Sequence, residues 1–255
     1  MTQKRVLTRR RFLTSVALGG STSLLAGCDW LSQNPTFLEI LNSGEWLSYR
    51  TQRLFGFSSL AREYAEADMS PDFPTNGSTR PRSDEWSRHA AQDFENYRLV
   101  VDGLVEAPQS LSLSDLRAMP SRTQITRHDC VEGWSAIGKW TGVPLKAVLD
   151  RARLSAKVRF IVFRCADDFS GTPYYESIDL VDAFHPQTIL AYGMNDGGLP
   201  IGHGAPLRLR VECQLGYKHA KFIMRIEAVE SLADIGRGKG GYWEDVGDYD
   251  WYAGV

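Results

Sequence analysis

From Tyr97 onward the chain breaks into short elements, and that texture limits its fold more than any other feature. KVRFIVFRCA (157–166) is dense in β-branched and aromatic residues and predicts a strand, as does QTILAYGM (187–194). APLRLRVE (205–212) and KFIMRIEAVE (221–230) alternate apolar and polar residues, the pattern of half-buried strands. YRLVVDGLV (97–105) alternates around a turn, and RTQIT (122–126) is strand-like. Short helical pieces lie between these strands: LSLSDLRAMP (111–120) with Ser114 as its cap, VPLKAVLDRA (143–152) entered through Pro144, and SIDLVDAF (177–184). The chain shows no internal repeat and no long βαβ series. The expectation is a mixed α+β class, with one domain and one core.

Residues 30–68 carry apolar side chains at loose helical spacing and predict one or two helices ending before Pro71. They form a helical lead-in over 29–70, followed by a main domain over 71–255. PDFPTNGSTRPRSDEW (71–86) is turn-rich and reads as a linker or a functional loop. The acidic, aromatic tail GKGGYWEDVGDYDWYAGV (238–255) is expected to wrap the surface and pack Trp243 and Trp251 onto the body; docking to a partner is the alternative.

The first 28 residues have the character of a targeting segment. TRRRFL (8–13) precedes a modestly apolar stretch too short and too rich in Gly and Ser to span a bilayer. TRRRFL resembles the twin-arginine export signal, whose cargo folds, and commonly acquires a cofactor, before export. LAGC (25–28) resembles a bacterial lipobox, in which Cys28 would be acylated and hold the mature protein at a membrane surface. Asp29 resembles an inner-membrane retention signal. The expected location is the periplasm, with a lipoprotein anchor at the inner membrane, and an ordinary charged leader with simple cleavage as the alternative. A formal net charge of -2 and a pI near 6.2 provide no electrostatic reason to expect a nucleic-acid partner.

With Cys28 removed, Cys130, Cys165 and Cys213 enter an oxidising compartment, and three thiols cannot all pair. Cys130 sits in RHDCVEGWSAIGKW (127–140). Arg127 and His128 favour a thiolate there, while Asp129 and Glu132 oppose it. From its neighbours alone, Cys130 is a candidate ligand or nucleophile, with a packed core thiol as the alternative.

Four separated stretches stand out together: FPTNG (73–77), RHDCVEGW (127–134), GLPIGHGAPLRLRV (198–211) and GYKHAKFI (216–223). As a set they resemble the molybdopterin-binding domain of the sulfite oxidase superfamily. The closest likeness is to its bacterial branch of periplasmic methionine-sulfoxide reductase catalytic subunits. The resemblance covers roughly residues 70–245. It implies a molybdenum–molybdopterin cofactor with Cys130 as the sole protein ligand to the metal, since a thiolate is a suitable soft ligand beside a dithiolene. Glu132 would line the metal pocket, where a carboxylate can relay protons. The resemblance further implies that Arg208, His219, Ala220 and Lys221 hold the phosphate side of the cofactor and that Asn76 hydrogen-bonds the pterin. His203 and Cys165 stand where this branch often has asparagine and threonine, and both are carried as cofactor-side residues.

The implied activity is oxygen-atom transfer, either sulfoxide-type reduction or sulfite-type oxidation. The substrate would be a small molecule or a methionine-sulfoxide-type side chain. Without a haem domain in the sequence, electrons would pass to or from a separate membrane haem subunit or periplasmic cytochrome. Around CVEGW the only cations are Arg127 and Lys139, fewer than sulfite oxidation calls for, which favours reduction. The rival readings are an exported, lipid-anchored binding module on the same fold without redox activity, and a zinc site built from His128, Cys130, His203 and His219.

Overall fold

The computed structural model describes residues 34–56 and 59–255; the targeting segment and Cys28 lie outside the described residues. Helix α1, Pro35–Gly56, stands as a unit of its own. Asn34 starts it, its Oδ1 accepting from the backbone N–H of Thr36 (3.0 Å) and Phe37 (3.2 Å), with proline at the first helical position. The second helical expectation is corrected. Residues 59–65 run extended, Tyr64 N–H donating to the Ile125 carbonyl at 2.9 Å, and only Glu66–Asp68 makes a single 3-10 turn. A strand edge thus claims a segment whose own periodicity is helical.

The rest is built on two five-stranded sheets. Ser83 caps α2 (Asp84–Ala90), so the turn-rich loop ends earlier than expected. One sheet has the order β2 (Gln109–Leu111), β1 (Leu99–Gly103), β10 (Ile223–Val229), β5 (Phe160–Phe169), β6 (Thr172–Asp179). The other runs β3 (Arg122–Asp129), β4 (Ser135–Pro144), β7 (Ile189–Met194), β8 (Gly197–Gly198), with β9 (Arg208–Arg210) also paired to β7. Only β1 and β10 pair in parallel, which bears out the mixed α+β class. The short helices are α3 (Leu113–Ala118), α4 (Leu145–Ala152), α5 (Leu180–Ala183) and α6 (Tyr242–Gly247). Ser112, not Ser114, caps α3: its hydroxyl accepts from Asp115 N–H at 3.0 Å while Asp115 Oδ2 accepts from Ser112 N–H at 2.8 Å.

The main core lies between the sheets, where Leu99, Val101, Ile161, Phe163, Leu190, Leu209 and Ile226 are fully buried. Each such side chain contributes about 1.5–3 kcal/mol by leaving water. Two details depart from the sequence pattern. Strand β9 is buried at all three positions, so the alternation in APLRLRVE does not mark a solvent face. Strand β4 emerges from within the cysteine motif, pairing antiparallel with β3 from Arg122↔Gly142 to Asp129↔Ser135. The β3–β4 connection therefore lifts Cys130 to the end of a hairpin, with Cys130 N–H donating to the Trp134 carbonyl and Gly133 N–H to the Cys130 carbonyl.

The tail packs onto the body. Trp251 Nε1 donates to Ser177 Oγ at 2.9 Å, and Leu215 N–H donates to the Ala253 carbonyl at 2.8 Å. Beneath it, the fully buried Lys218 Nζ is ion-paired with Glu176 of β6 and with Glu244 of α6, the latter at 2.7 Å.

Candidate active site

A cleft enclosing about 690 Å³, open mouth included, lies at the end of the β3–β4 hairpin. Five sequence-predicted residues line it: Asn76, Cys130, Glu132, His219 and Lys221. Cys165, His203, Arg208 and Ala220 are not among its lining residues. No disulfide joins any two of Cys130, Cys165 and Cys213.

Cys130 is nearly buried, and burial pushes its thiol up; the Glu132 backbone N–H and then Arg208 oppose the shift, while the Glu132 carboxylate adds to it. Glu132 is exposed, its carboxylate oriented by Trp134 Nε1, which donates to Oε2 at 3.0 Å. Cys165, in the bulged part of β5, has its thiol raised well above the ordinary range by burial.

The back of the cleft is a layer of buried cations over Trp140. Arg208 and Arg210 alternate along β9 so that both guanidiniums stack on the Trp140 ring, at 5.2 and 4.4 Å. Arg210 is satisfied: Nε and Nη2 reach Glu212 at 2.9 and 2.5 Å, and Nη1 donates to His128 Nδ1 at 3.0 Å. Arg208, although fully buried, spends only Nη1, on the His203 carbonyl at 3.2 Å; its Nε and Nη2 have no partner. Burial first and Arg210 second pull its pKa down to about 9.

Both histidines here are neutral, driven well below the ordinary range by burial and by neighbouring charged groups. Because Arg210 donates to His128 Nδ1, the ring proton of His128 sits on Nε2, a buried donor without a partner. His219 donates through Nε2 to the Gln214 carbonyl at 3.0 Å, leaving Nδ1 as an unpaired acceptor. Gly216 makes this packing possible: a Cβ there would lie 2.5 Å from His128 Nε2. Desolvation lowers His203 to about 4, so it too is neutral at pH 7. Lys221 behaves differently from the phosphate-side cation expected of it. Its Nζ donates to the carbonyls of Asn76 (2.7 Å), Gly202 (3.1 Å) and Ser78, bracing the 76–78 loop. Burial, then Arg208, lowers it to about 7.

Sequence reasoning missed the lining residue Asp167 and two buried neighbours of the site, Arg210 and His128. Asp167 is 4% exposed, its Oδ1 has no partner, and burial raises its carboxyl to about 7. Arg210 was passed over although it shares a strand face with Arg208, a period-two signal that could have found it. His128 entered only through the zinc reading. That reading is corrected: among the described residues no three His, Cys, Asp or Glu side chains gather closely enough to hold a metal ion.

Unpaired donors on Arg208 and His128, with unpaired acceptors on His219 and Asp167, call for a ligand that carries both anionic oxygens and a heterocyclic edge. A phosphorylated pterin has both, and a thiol at the cleft wall adds a soft metal ligand. The fold and site thus define a module built to bind an anionic, heterocyclic cofactor.

Comparison with known proteins agrees. Residues 87–234 match the oxidoreductase molybdopterin binding domain family. The chain is 38% identical over 247 residues, 96% of its length and 87% of the relative's, to the provisionally named protein-methionine-sulfoxide reductase subunit YedZ1 of Azospira oryzae. It is 36% identical over 172 residues to the protein-methionine-sulfoxide reductase catalytic subunit MsrP of Xanthomonas axonopodis pv. citri, spanning 62% of this chain and 52% of that relative. Among solved structures, the sulfane dehydrogenase SoxCD of Paracoccus pantotrophus matches with a TM-score of 0.49 and 23% identity, over 54% of this chain and 39% of that one. The chain belongs to the oxidoreductase molybdopterin-binding domain family. It is a molybdopterin-dependent oxidoreductase whose cofactor is molybdenum held by molybdopterin.

Proposed function

We propose that this chain is the catalytic subunit of an exported system that reduces neutral sulfoxides, methionine sulfoxide above all, with electrons delivered by a separate haem protein. Overall, the sulfoxide takes up two electrons and two protons and leaves as thioether and water. The observation that carries this reading is the charge of the cleft wall. Among the lining residues Lys221 is committed to three carbonyls and His219 is neutral, so no free cation faces the opening to hold an anion such as sulfite. The names of the Azospira and Xanthomonas relatives support the same substrate.

When bound, the cofactor supplies the metal centre that accepts the sulfoxide oxygen and passes electron pairs. The chain's own residues then have distinct tasks. Cys130 is the metal's protein ligand. Arg208 Nε and Nη2 neutralise the cofactor's anionic side, and His219 Nδ1 accepts from its heterocycle. Lys221 holds the Asn76–Ser78 loop against the cofactor rather than reaching for phosphate itself, and Ala220 fixes the spacing through its backbone, its carbonyl accepting from Leu209 N–H at 2.8 Å. Asn76, in the cleft lining, would hydrogen-bond the pterin, while His203 and Cys165 would act from outside that lining. Glu132, at the exposed side, delivers a proton to the departing oxygen. Residues 1–28 direct export, 29–70 form the lead-in and 71–255 the catalytic domain, with Cys28 tethering the subunit in the periplasm near a membrane haem partner.

The test is elemental analysis with oxidised-pterin fluorescence on protein from export-competent cells, followed by assay with a reduced dye as electron donor. Wild type should hold near-stoichiometric molybdenum and pterin and reduce N-acetyl-methionine sulfoxide. Cys130→Ser should lose metal or change its coordination spectrum. A molybdenum-loaded wild type that oxidises sulfite and leaves the sulfoxide untouched would overturn the assignment.

A further inference from the structure

The acidic, aromatic tail finds its role at the mouth of the cleft. Five rings that line it follow one another in contact. Tyr174 lies 5.9 Å from Phe169, Phe169 5.4 Å from Trp243, Trp243 5.8 Å from Tyr249 in a stacked pair, and Tyr249 5.0 Å from Tyr217. Trp243 and Tyr249 belong to and follow α6, beyond the 87–234 stretch that matches the family. The wall's hydroxyls are partly spent inward: Tyr174 donates to the Tyr217 carbonyl at 2.9 Å, and Tyr217 to the Asp250 carbonyl at 2.6 Å. What remains facing the cleft is ring surface. Val131, 41% exposed, supplies an apolar edge on the side of Cys130. Asp248, exposed and ion-paired with Lys239, and exposed Asp250 flank Tyr249, and residues 242–251 contain no Lys or Arg.

We infer that Trp243 and Tyr249 form the specificity wall of the enzyme, an aromatic cradle for the methyl and methylene groups of a neutral methionine-sulfoxide side chain presented on a polypeptide. This deepens the sulfoxide-reductase reading and rests on it. Sulfur and its methyl group pack favourably on aromatic rings, an interaction that does not require charge. With exposed Glu132 and no free cation among the lining residues, anionic substrates are disfavoured before they reach Cys130. The partly exposed position of Trp243 and Tyr249 lets a side chain enter while its backbone stays outside, which a sealed pocket would forbid.

The test uses the cofactor-loaded full chain and the probe N-acetyl-methionine-sulfoxide methylamide, with steady-state kinetics and calorimetric binding measured side by side. Trp243→Ala should raise KM and the calorimetric Kd roughly tenfold, with kcat changed less than about twofold and molybdenum and pterin content unchanged. Trp243→Phe should recover most of the loss, Tyr249→Ala should show a smaller rise of the same kind, and Val246→Ala, on the outer face of α6, should match wild type. Unaltered KM and Kd in Trp243→Ala would overturn the cradle and leave the reductase reading intact. A wild type that binds the probe, loses that binding in Trp243→Ala and reduces no sulfoxide would keep the cradle and overturn the reductase reading. A wild type that does not bind the probe would overturn the inference.

Discussion

Two groups of buried charge sit on either side of the same cleft and are handled in opposite ways. Lys218, Glu176 and Glu244, all sealed from solvent, pair their charges with one another, although Oε2 of each glutamate has no hydrogen-bond partner. Burial, then Glu244, pushes the Glu176 carboxyl well up, with Lys218 opposing the shift. Arg208, His128 and His219 do not close. Arg208 keeps a charge that Glu212 has already spent on Arg210, and two of its nitrogens have no partner. Desolvating an uncompensated charge is costly, so a fold retains one where a ligand will offset it. The contrast separates a structural cluster, which ties the tail to β6, from a binding cluster that is complete only with an anion in place.

The sharpest way to break this distinction is to remove one cation from each group. Lys218→Ala should destabilise the protein by about 3–5 kcal/mol, because it leaves two carboxyl groups buried without their cation. Arg208→Leu in cofactor-free protein should be neutral or stabilising in urea unfolding, and should yet leave the protein purified from cofactor-competent cells with less than about a tenth of the wild-type pterin. If Arg208→Leu unfolds as easily as Lys218→Ala, the two clusters are alike and the argument fails.

A smaller effect concerns Asp167. Its carboxyl is raised from 3.8 to about 7, so folding favours the protonated form. That contribution is complete below about pH 4 and lost as pH rises through about 7. Cofactor-free wild type should therefore lose Tm between pH 5 and 8 by several degrees more than Asp167→Asn, whose side chain cannot ionise. Equal slopes would show that Asp167 already has a partner.

The smallest effect is expected for Glu176→Gln. Burial favours the neutral form of the Glu176 carboxyl, which an amide mimics, so stability at pH 7 should change by less than about 1 kcal/mol, whereas Glu244→Gln should cost clearly more. Urea midpoints of the two variants decide which carboxyl carries the proton.

The strands now numbered β1, β5, β7 and β10 were legible in the sequence because β-branched and alternating runs report backbone preference and one buried face directly. Strand β4 was hidden: its residues are the second half of the cysteine motif, and Gly138 and Gly142 dilute the apolar signal. A Cβ at Gly142 would lie 2.2 Å from the Leu190 carbonyl oxygen, so close approach to β7 determined that residue and not strand propensity. The segment 59–65 was misread because helical spacing on an exposed stretch yields to an available strand edge. At the site, the residues named from the motifs are brought around one cleft or onto its wall, but Asp167 and the aromatic rings carry no local pattern that marks them.

By itself the sequence determined the fold class, the family and the cysteine-centred motif, since these depend on local pattern and on side-chain identity. Only the tertiary structure decided which buried charges are paired. His128 and Arg210 meet across 82 residues, and Lys218 and Glu176 across 42. Whether a charge is satisfied or waiting depends on such distant neighbours and on how much water their packing expels. The same packing places part of an acidic tail as an aromatic wall: α6 is anchored by the Lys218–Glu244 ion pair and sets Trp243 in the cleft lining.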